Sequence, residues 1–265
     1  MTEQGRVAVI TGAAQGIGRA AARYFADRDV DRLVLNDIAS KQSALQETAN
    51  LIADRATVAI CLGDVTLEAD ARGLADAARS AFGRLDVLYN NAGVVSGASV
   101  EKSTLDDWRR VVQVNLDGTF LPSKYAIPLL RESGGGAIVN VASVMSQGAS
   151  YRAAAYAASK TGVVGLTRAM AIDHARDKIR VNCVMPGAIN TPMMNGDPTV
   201  AEALADDEKP ANIWAPMHAF NRVGEPEEVA AVVYFLASKE ASWVTGAAIA
   251  VDGGMAIMLR PYEDS

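Results

Sequence analysis

Tyr156 and Lys160 bracket the segment YAASK, in a run otherwise made of alanine, glycine and aliphatic residues. In a helix, positions i and i+4 share a face, with side chains rooted about 5–6 Å apart. A phenol and an ammonium so placed are close enough to change each other's protonation. A free phenol ionises near pH 10, and a neighbouring cation lowers that value because it favours the phenolate. The same spacing also suits an amphipathic helix with one aromatic and one snorkelling lysine. Ser143 lies 13 positions before Tyr156, at the carboxyl end of the strand-like run AIVNVAS. Open α/β sheets bind ligands at that end.

A second chemical feature opens the chain. The run TGAAQGIG, Thr11–Gly18, follows an apolar strand pattern and leads into a helical one. Gly12, Gly16 and Gly18 allow a tight turn, close approach of a ligand and the start of a helix. The helix N-terminus then offers unpaired N–H groups to a pyrophosphate. Asp37 ends the next strand pattern, 19 residues after Gly18. A carboxylate there can accept both hydroxyls of an adenosine ribose and would repel a 2′-phosphate. Gln15 and Ile38 hold the neighbouring places where a cation would favour NADP, and Arg19 is the nearest basic residue. The expected cofactor is therefore NAD.

These groups need a scaffold, and the pattern of the chain supplies one. Strands are expected at Arg6–Gly12, Arg32–Asp37, Thr57–Asp64, Leu85–Gly93, Ala137–Ser143, Ile179–Gly187 and Ala247–Gly254. Several are apolar on both alternations, as buried parallel strands are. Helices are expected at Gly16–Arg28, Ser40–Ala53, Leu67–Phe82, Leu105–Arg131, Ala154–Ala175 and Pro226–Ala237. Strict β/α alternation predicts a doubly wound, Rossmann-type parallel sheet with helices on both faces. No linker or repeat divides the 265 residues, so one domain over 1–265 is expected. The long stretch Asn190–Glu225 breaks the rhythm, and loops of such length are usually functional.

Half of the chain is hydrophobic and the net charge is -6, with no Lys/Arg cluster. That argues against a nucleic-acid partner. No apolar run approaches the roughly 18 residues that cross a bilayer, so no membrane contact and a cytoplasmic location are expected. Cys61 and Cys183 sit in or beside apolar runs and read as small core residues. His174 and His218 have no partners at metal-ligand spacing, and no metal is expected.

Taken together, the motifs resemble the short-chain dehydrogenase/reductase family in its single-domain form. They appear in the family's order: TGAAQGIG, GDV with Asp64, NNAG at Asn90–Gly93, VNLDGTF with Asn115, VASVMS with Ser143, YAASK, and PGAINTP at Pro186–Pro192. The resemblance covers essentially the whole chain. It implies an NAD-dependent enzyme that interconverts a secondary alcohol and a ketone. Tyr156 would move the proton, Lys160 would lower its pKa and bind the nicotinamide ribose, and Ser143 would orient the substrate oxygen. Asn115 would hold a water that joins Lys160 to solvent. Cofactor contacts carry over to Gly12, Gln15, Gly16, Ile17, Gly18 and Asp37, and to Asp64 and Val65 beside the adenine. They carry over likewise to Asn91, Ala92 and Gly93, and to Pro186, Gly187, Ile189 and Thr191 near the nicotinamide. Asn90 reads as structural. Tyr151 is the rival tyrosine, but residue 155 is alanine, so it lacks the lysine.

The resemblance also implies a homotetramer. The Ala154–Ala175 helix is small or apolar on nearly every side, and members of the family pair through it and the long helix before it. Met193, Met194, Trp214, Met217 and Phe220 would form an adaptable apolar lining in the Asn190–Glu225 loop. Arg152 reads as a surface side chain. An epimerase or dehydratase on this fold would alter Ser143, Tyr156 or Lys160. A mere NAD sensor would need neither Tyr156 nor Lys160, and a biosynthetic reductase would usually pair with NADP. The substrate itself is not fixed by the fold.

Overall fold

The computed structural model describes residues 5–196 and 210–259. Its strands are β1 Val7–Ile10, β2 Arg32–Asp37, β3 Thr57–Leu62, β4 Val87–Asn90, β5 Gly136–Val141, β6 Ile179–Pro186 and β7 Ala248–Val251. All pair in parallel, in the order β3-β2-β1-β4-β5-β6-β7. The chain runs outward from β1 to β3, then returns to the other side of β1 with β4. That reversal opens a crevice at the carboxyl ends of β1 and β4, where such sheets take ligands. The four residues of β1, VAVI, and the four of β4, VLYN, are buried throughout, because helices cover the sheet on both faces.

The helices are α1 Gly16–Ala26, α2 Gln42–Asn50, α3 Glu68–Phe82, α4 Leu105–Val112, α5 Gly118–Glu132, α6 Ala154–His174, α7 Pro192–Asn195, α8 Pro210–Trp214 and α9 Pro226–Ala237. On one face Phe25 of α1, Leu45 of α2 and Val233 and Leu236 of α9 pack on Ile10, Leu33 and Leu35. On the other, Leu74 of α3, Leu130 of α5 and Met170 of α6 pack on Val9, Leu88 and Ile138. Burying large aliphatic side chains stabilises by roughly 1.5–3 kcal/mol each. Helix ends follow local chemistry. Gly83, at φ 73°, ends α3 in the left-handed conformation that glycine adopts without strain. Pro226 opens α9, behind a reciprocal cap between Glu225 and Glu228.

The sheet and the expected rhythm agree, with strands trimmed where the chain turns. The expected helix Leu105–Arg131 is not uniform: five residues, Gln113–Asp117, form a π turn between α4 and α5. The cause is visible in Asn115, whose buried side chain pairs with the backbone of Val94 in both directions. Insertions of this kind occur often at functional sites. The Asn190–Glu225 stretch holds α7, α8 and a 3-10 turn at Ala215–Met217, so it is less irregular than expected. Its residues 197–209 lie outside the described residues.

A buried polar chain ties the central strands to α5 and α6. Asn90 donates to Asn140 Oδ1 (2.8 Å) and Ser123 Oγ (2.9 Å), and Asn140 donates to Thr167 Oγ1 (2.9 Å). Asn90 thus faces the protein interior and not the crevice. Gly18 is equally structural. A Cβ there would stand 2.2 Å from Gly12 O and 2.6 Å from Asn91 Nδ2. Gly18→Ala is therefore expected to force the glycine turn from its place and to destabilise by about 1–3 kcal/mol. Thermal unfolding checks this; an unchanged Tm would show that the turn has slack the structure does not display.

Candidate active site

One cavity of about 480 Å³ occupies the crevice, within the range of sites for small molecules and cofactors. Its floor is the glycine turn. Gly12 and Gly16 have positive φ of 64° and 54°, which β-carbon-bearing residues rarely adopt. Asn91 clasps the turn from β4, with Nδ2 donating to Thr11 O (3.1 Å) and Gly12 O (3.0 Å). Thr11 Oγ1 accepts in return from the N–H groups of Asn91 and Ala92. Gln15 precedes α1 without capping it by its side chain, so the first N–H groups of the helix are left to the cavity wall at Gly16 and Ile17.

Lys160 is 3% exposed, and its Nζ donates to Val141 O at 2.7 Å, at the end of β5. An ammonium has three protons to donate, and this carbonyl is the one acceptor among the described residues. Loss of hydration lowers the Lys160 pKa to about 8. Its Nζ lies 5.8 Å from the ring centre of Tyr156, one turn earlier on α6. Ser143 stands just past β5, 6% exposed, with Oγ accepting from Met145 N–H (3.2 Å). The hydroxyl proton is thereby left to point elsewhere. Ser143, Tyr156 and Lys160 all line the cavity.

Asn115 does not line it. Its side-chain amide is committed to Val94 and, through Nδ2, to Ser159 Oγ at 3.0 Å, while its backbone carbonyl accepts from Thr119 Oγ1 at 2.8 Å. Gly18 lies behind the turn, off the cavity wall. The other expected positions do line the cavity: Gly12, Gln15, Gly16, Ile17, Asp37, Asp64, Val65, Asn91, Ala92, Gly93, Pro186, Gly187, Ile189 and Thr191. Tyr151, the rival tyrosine, is 83% exposed on the surface. Arg152 is half-buried, with a left-handed backbone, and is not on the cavity wall.

At the end beyond β2, Asp37 accepts from Ala14 N–H (3.0 Å) and Ile38 N–H (2.9 Å), one bond on each carboxylate oxygen. Beside it Lys41 lines the cavity, with Nζ donating to Gln15 Oε1 at 3.3 Å. The sequence reading missed Lys41; its signal was a lysine four positions beyond the strand-ending aspartate. Arg19 is held away instead, donating to Ala14 O, Ala44 O and Thr48 Oγ1.

At the opposite end, Met193, Met194 and Trp214 line the wall as expected, joined by Met145 and Met255. Met217 and Phe220 do not, and Phe220 is 71% exposed. His218 joins this wall to the sheet. Its Nδ1 bonds Trp214 O at 2.7 Å, so that nitrogen carries the proton. Its Nε2 then accepts from Ala188 N–H at 3.1 Å. The imidazole is thus neutral and buried, and Gly187 leaves room for it: a Cβ there would meet Nε2 at 2.8 Å.

Residues 12–256 match a family model described as Enoyl-(Acyl carrier protein) reductase. The chain is 43% identical over 249 residues to a meso-2,3-butanediol dehydrogenase of Serratia marcescens, spanning 94% of each protein. It is 39% identical to a cis-4-hydroxycyclohexanecarboxylate dehydrogenase of Sinomonas cyclohexanicum, over 94% of this chain and 96% of that one. A crystal structure of a short-chain type dehydrogenase/reductase from Mycobacterium marinum superposes with a TM-score of 0.87 at 32% identity, covering 96% and 97% of the two chains. With its sheet order, its glycine turn and these likenesses over nearly its whole length, the chain belongs to the short-chain dehydrogenase/reductase family of oxidoreductases.

Proposed function

We propose that this protein is an NAD(H)-dependent dehydrogenase that interconverts a small secondary alcohol and its ketone, within one catalytic domain. The observation that carries the reading is the buried, under-partnered ammonium of Lys160 beside Tyr156 on the wall of the cavity. The family implies a nicotinamide cofactor, and the residues present fit one. The open N-terminus of α1 suits a pyrophosphate, Asp37 suits a ribose, and Lys160 has protons to give a second ribose. When bound, the nicotinamide would supply the hydride acceptor for oxidation or the donor for reduction. The relatives' names, a diol and a cyclic hydroxy acid dehydrogenase, support a secondary alcohol as substrate.

The chain's own residues have these parts in the proposal. Tyr156 takes the alcohol proton during oxidation and returns it during reduction. Lys160, while charged, favours the phenolate, a change of about 1.4 kcal/mol for each pKa unit. Ser143, whose Oγ already accepts from Met145, has its hydroxyl proton available for the substrate oxygen. Asn115 acts as a positioning residue through Val94 and Ser159, because its side chain is already fully engaged and lies off the wall. The water that joins Lys160 to solvent is held at Asn115 in the proposal, as the family resemblance implies.

Tyr156→Phe is expected to lower kcat by about 10²–10⁴-fold, the usual weight of general acid–base catalysis, with cofactor affinity within a few-fold of the parent. Lys160→Met is expected to lower both. Absorbance at 340 nm and a fluorescence titration of cofactor read these separately; near-normal turnover of Tyr156→Phe would reject the assignment. The Lys160 pKa adds a pH signature. Its folded value of about 8 lies below the unfolded value of about 10.4. Between the two, the unfolded chain binds more protons, so the cofactor-free protein gains stability from this group as pH rises across that window. Lys160→Met removes that gain.

For the cofactor, NAD is expected to exceed NADP in kcat/KM by at least about tenfold, or about 1.4 kcal/mol, because Asp37 would repel a 2′-phosphate. Lys41, not Arg19, is the cation that tempers this, so Lys41→Ala widens the preference. Asp37→Ser with Ile38→Arg reverses it by removing the carboxylate and adding a guanidinium. A parent protein that prefers NADP would show that Asp37 does not govern the choice.

The proposal includes a homotetramer. The outer side of α6 exposes Ala158, Thr161, Gly165, Ala169 and Ile172, the last at 79%, together with the charged Arg168 and Asp173, and α5 exposes Phe120 at 46%. Small residues let a partner helix approach, and apolar ones gain by being covered. Sedimentation at micromolar concentration is expected to give a tetramer, and a monomer there would refute it.

A further inference from the structure

Trp214 carries an indole N–H that has no use in the scheme above. Its Nε1 is buried and has no acceptor among the described residues. Buried indole N–H groups usually find a partner, and each exception needs a physical account. Its apolar neighbours are Met194, Met145, Ala188, Ile213, Val223 and Met255. The residue is not loose. His218 holds its carbonyl at 2.7 Å and, through Ala188, fixes it to the chain just beyond β6. The indole is therefore a braced wall of the cavity, beside Met193 and Met194. Methionine side chains turn easily, so the wall around the indole can adapt to a ligand.

We propose that Trp214 Nε1–H binds a second, uncharged oxygen of the substrate, so that the enzyme acts on small secondary alcohols bearing another hydroxyl or carbonyl on an otherwise apolar frame. This rests on the alcohol–ketone reading above and narrows it. Charge decides against an acid. Among the described residues, the charged groups on the cavity wall are Asp37, Lys41, Asp64 and Lys160. The first three lie at the ends of β2 and β3, and Lys160 is assigned to the ribose. A carboxylate beside Trp214 would be buried among apolar side chains with no cation among the described residues of the wall to pair it, whereas one N–H satisfies a neutral oxygen. The hydroxy-acid relative's substrate is thus not the expected one here.

The test compares kcat/KM for cyclohexane-1,2-diol with cyclohexanol, and butane-2,3-diol with butan-2-ol, in the parent and in Trp214→Phe. The phenyl ring keeps the apolar wall and removes the N–H. The diol-to-monoalcohol ratio is expected to exceed one in the parent and to fall about three- to tenfold in the variant, the weight of one neutral hydrogen bond. 4-Hydroxycyclohexanecarboxylate is expected to be the poorer substrate. An unchanged ratio, or a preference for the carboxylate, overturns the proposal. A second readout does not need turnover. In indole-¹⁵N-labelled parent protein, the Trp214 N–H signal, assigned by its loss in Trp214→Phe, is expected to shift when cyclohexane-1,2-diol is added with NADH. Absence of a shift with either diol overturns the proposal. If no alcohol is oxidised with either nicotinamide cofactor, it is the alcohol–ketone reading that fails, and the indole shift still decides the role of Trp214.

Discussion

An ammonium removed from water needs compensation, and the site is organised around that need at Lys160. Burial, the dominant cause, moves its pKa down to about 8, near the edge of losing its charge. The bond to Val141 O anchors the lysine to the end of β5 and satisfies one of its three protons. The other two give the buried charge a reason to hold a ligand oxygen. The same charge acts on Tyr156, because α6 places them one turn apart. In the proposed reaction, a single desolvated cation would couple ligand binding to the acidity of a phenol.

That coupling is useful only if the ligand is held where the lysine can reach it. The order of the sheet does this by opening a crevice between β1 and β4. Within it Asn91 and Thr11 stitch the carboxyl ends of those two strands together and fix the glycine turn against the cavity floor. The π turn at Gln113–Asp117 serves the neighbouring wall: the extra residue lets Asn115 pair with Val94 and with Ser159, which directly precedes Lys160.

The other end of the cavity is built on a different logic. Its methionines are adaptable, while a neutral histidine keeps the backbone fixed by bridging Trp214 and Ala188. Protonation of His218 would turn its accepting nitrogen into a donor facing another donor, so the link requires the neutral ring. The wall combines a rigid frame with compliant side chains, which suits a family in which one fold serves many substrates.

The sequence by itself determined the alternation of strands and helices, the glycine turn, the aspartate at the end of β2 and the shared face of Tyr156 and Lys160. Each of these depends on contacts within a few residues or one helical turn, so periodicity and residue type suffice to express it. Only the tertiary structure decided that Gly18 backs the turn while Gly12 and Gly16 line it, since that depends on where Asn91 arrives from β4. The same holds for Arg19, drawn aside by Ala44 and Thr48, and for Lys41, left on the wall in its place. It holds again for Asn115, whose amide is claimed by Val94 in the loop after β4, more than 20 positions away in the chain. A polar atom's role is set by which partners reach it once water is gone, and those partners come from segments distant in sequence. For Trp214, no acceptor among the described residues reaches its indole N–H.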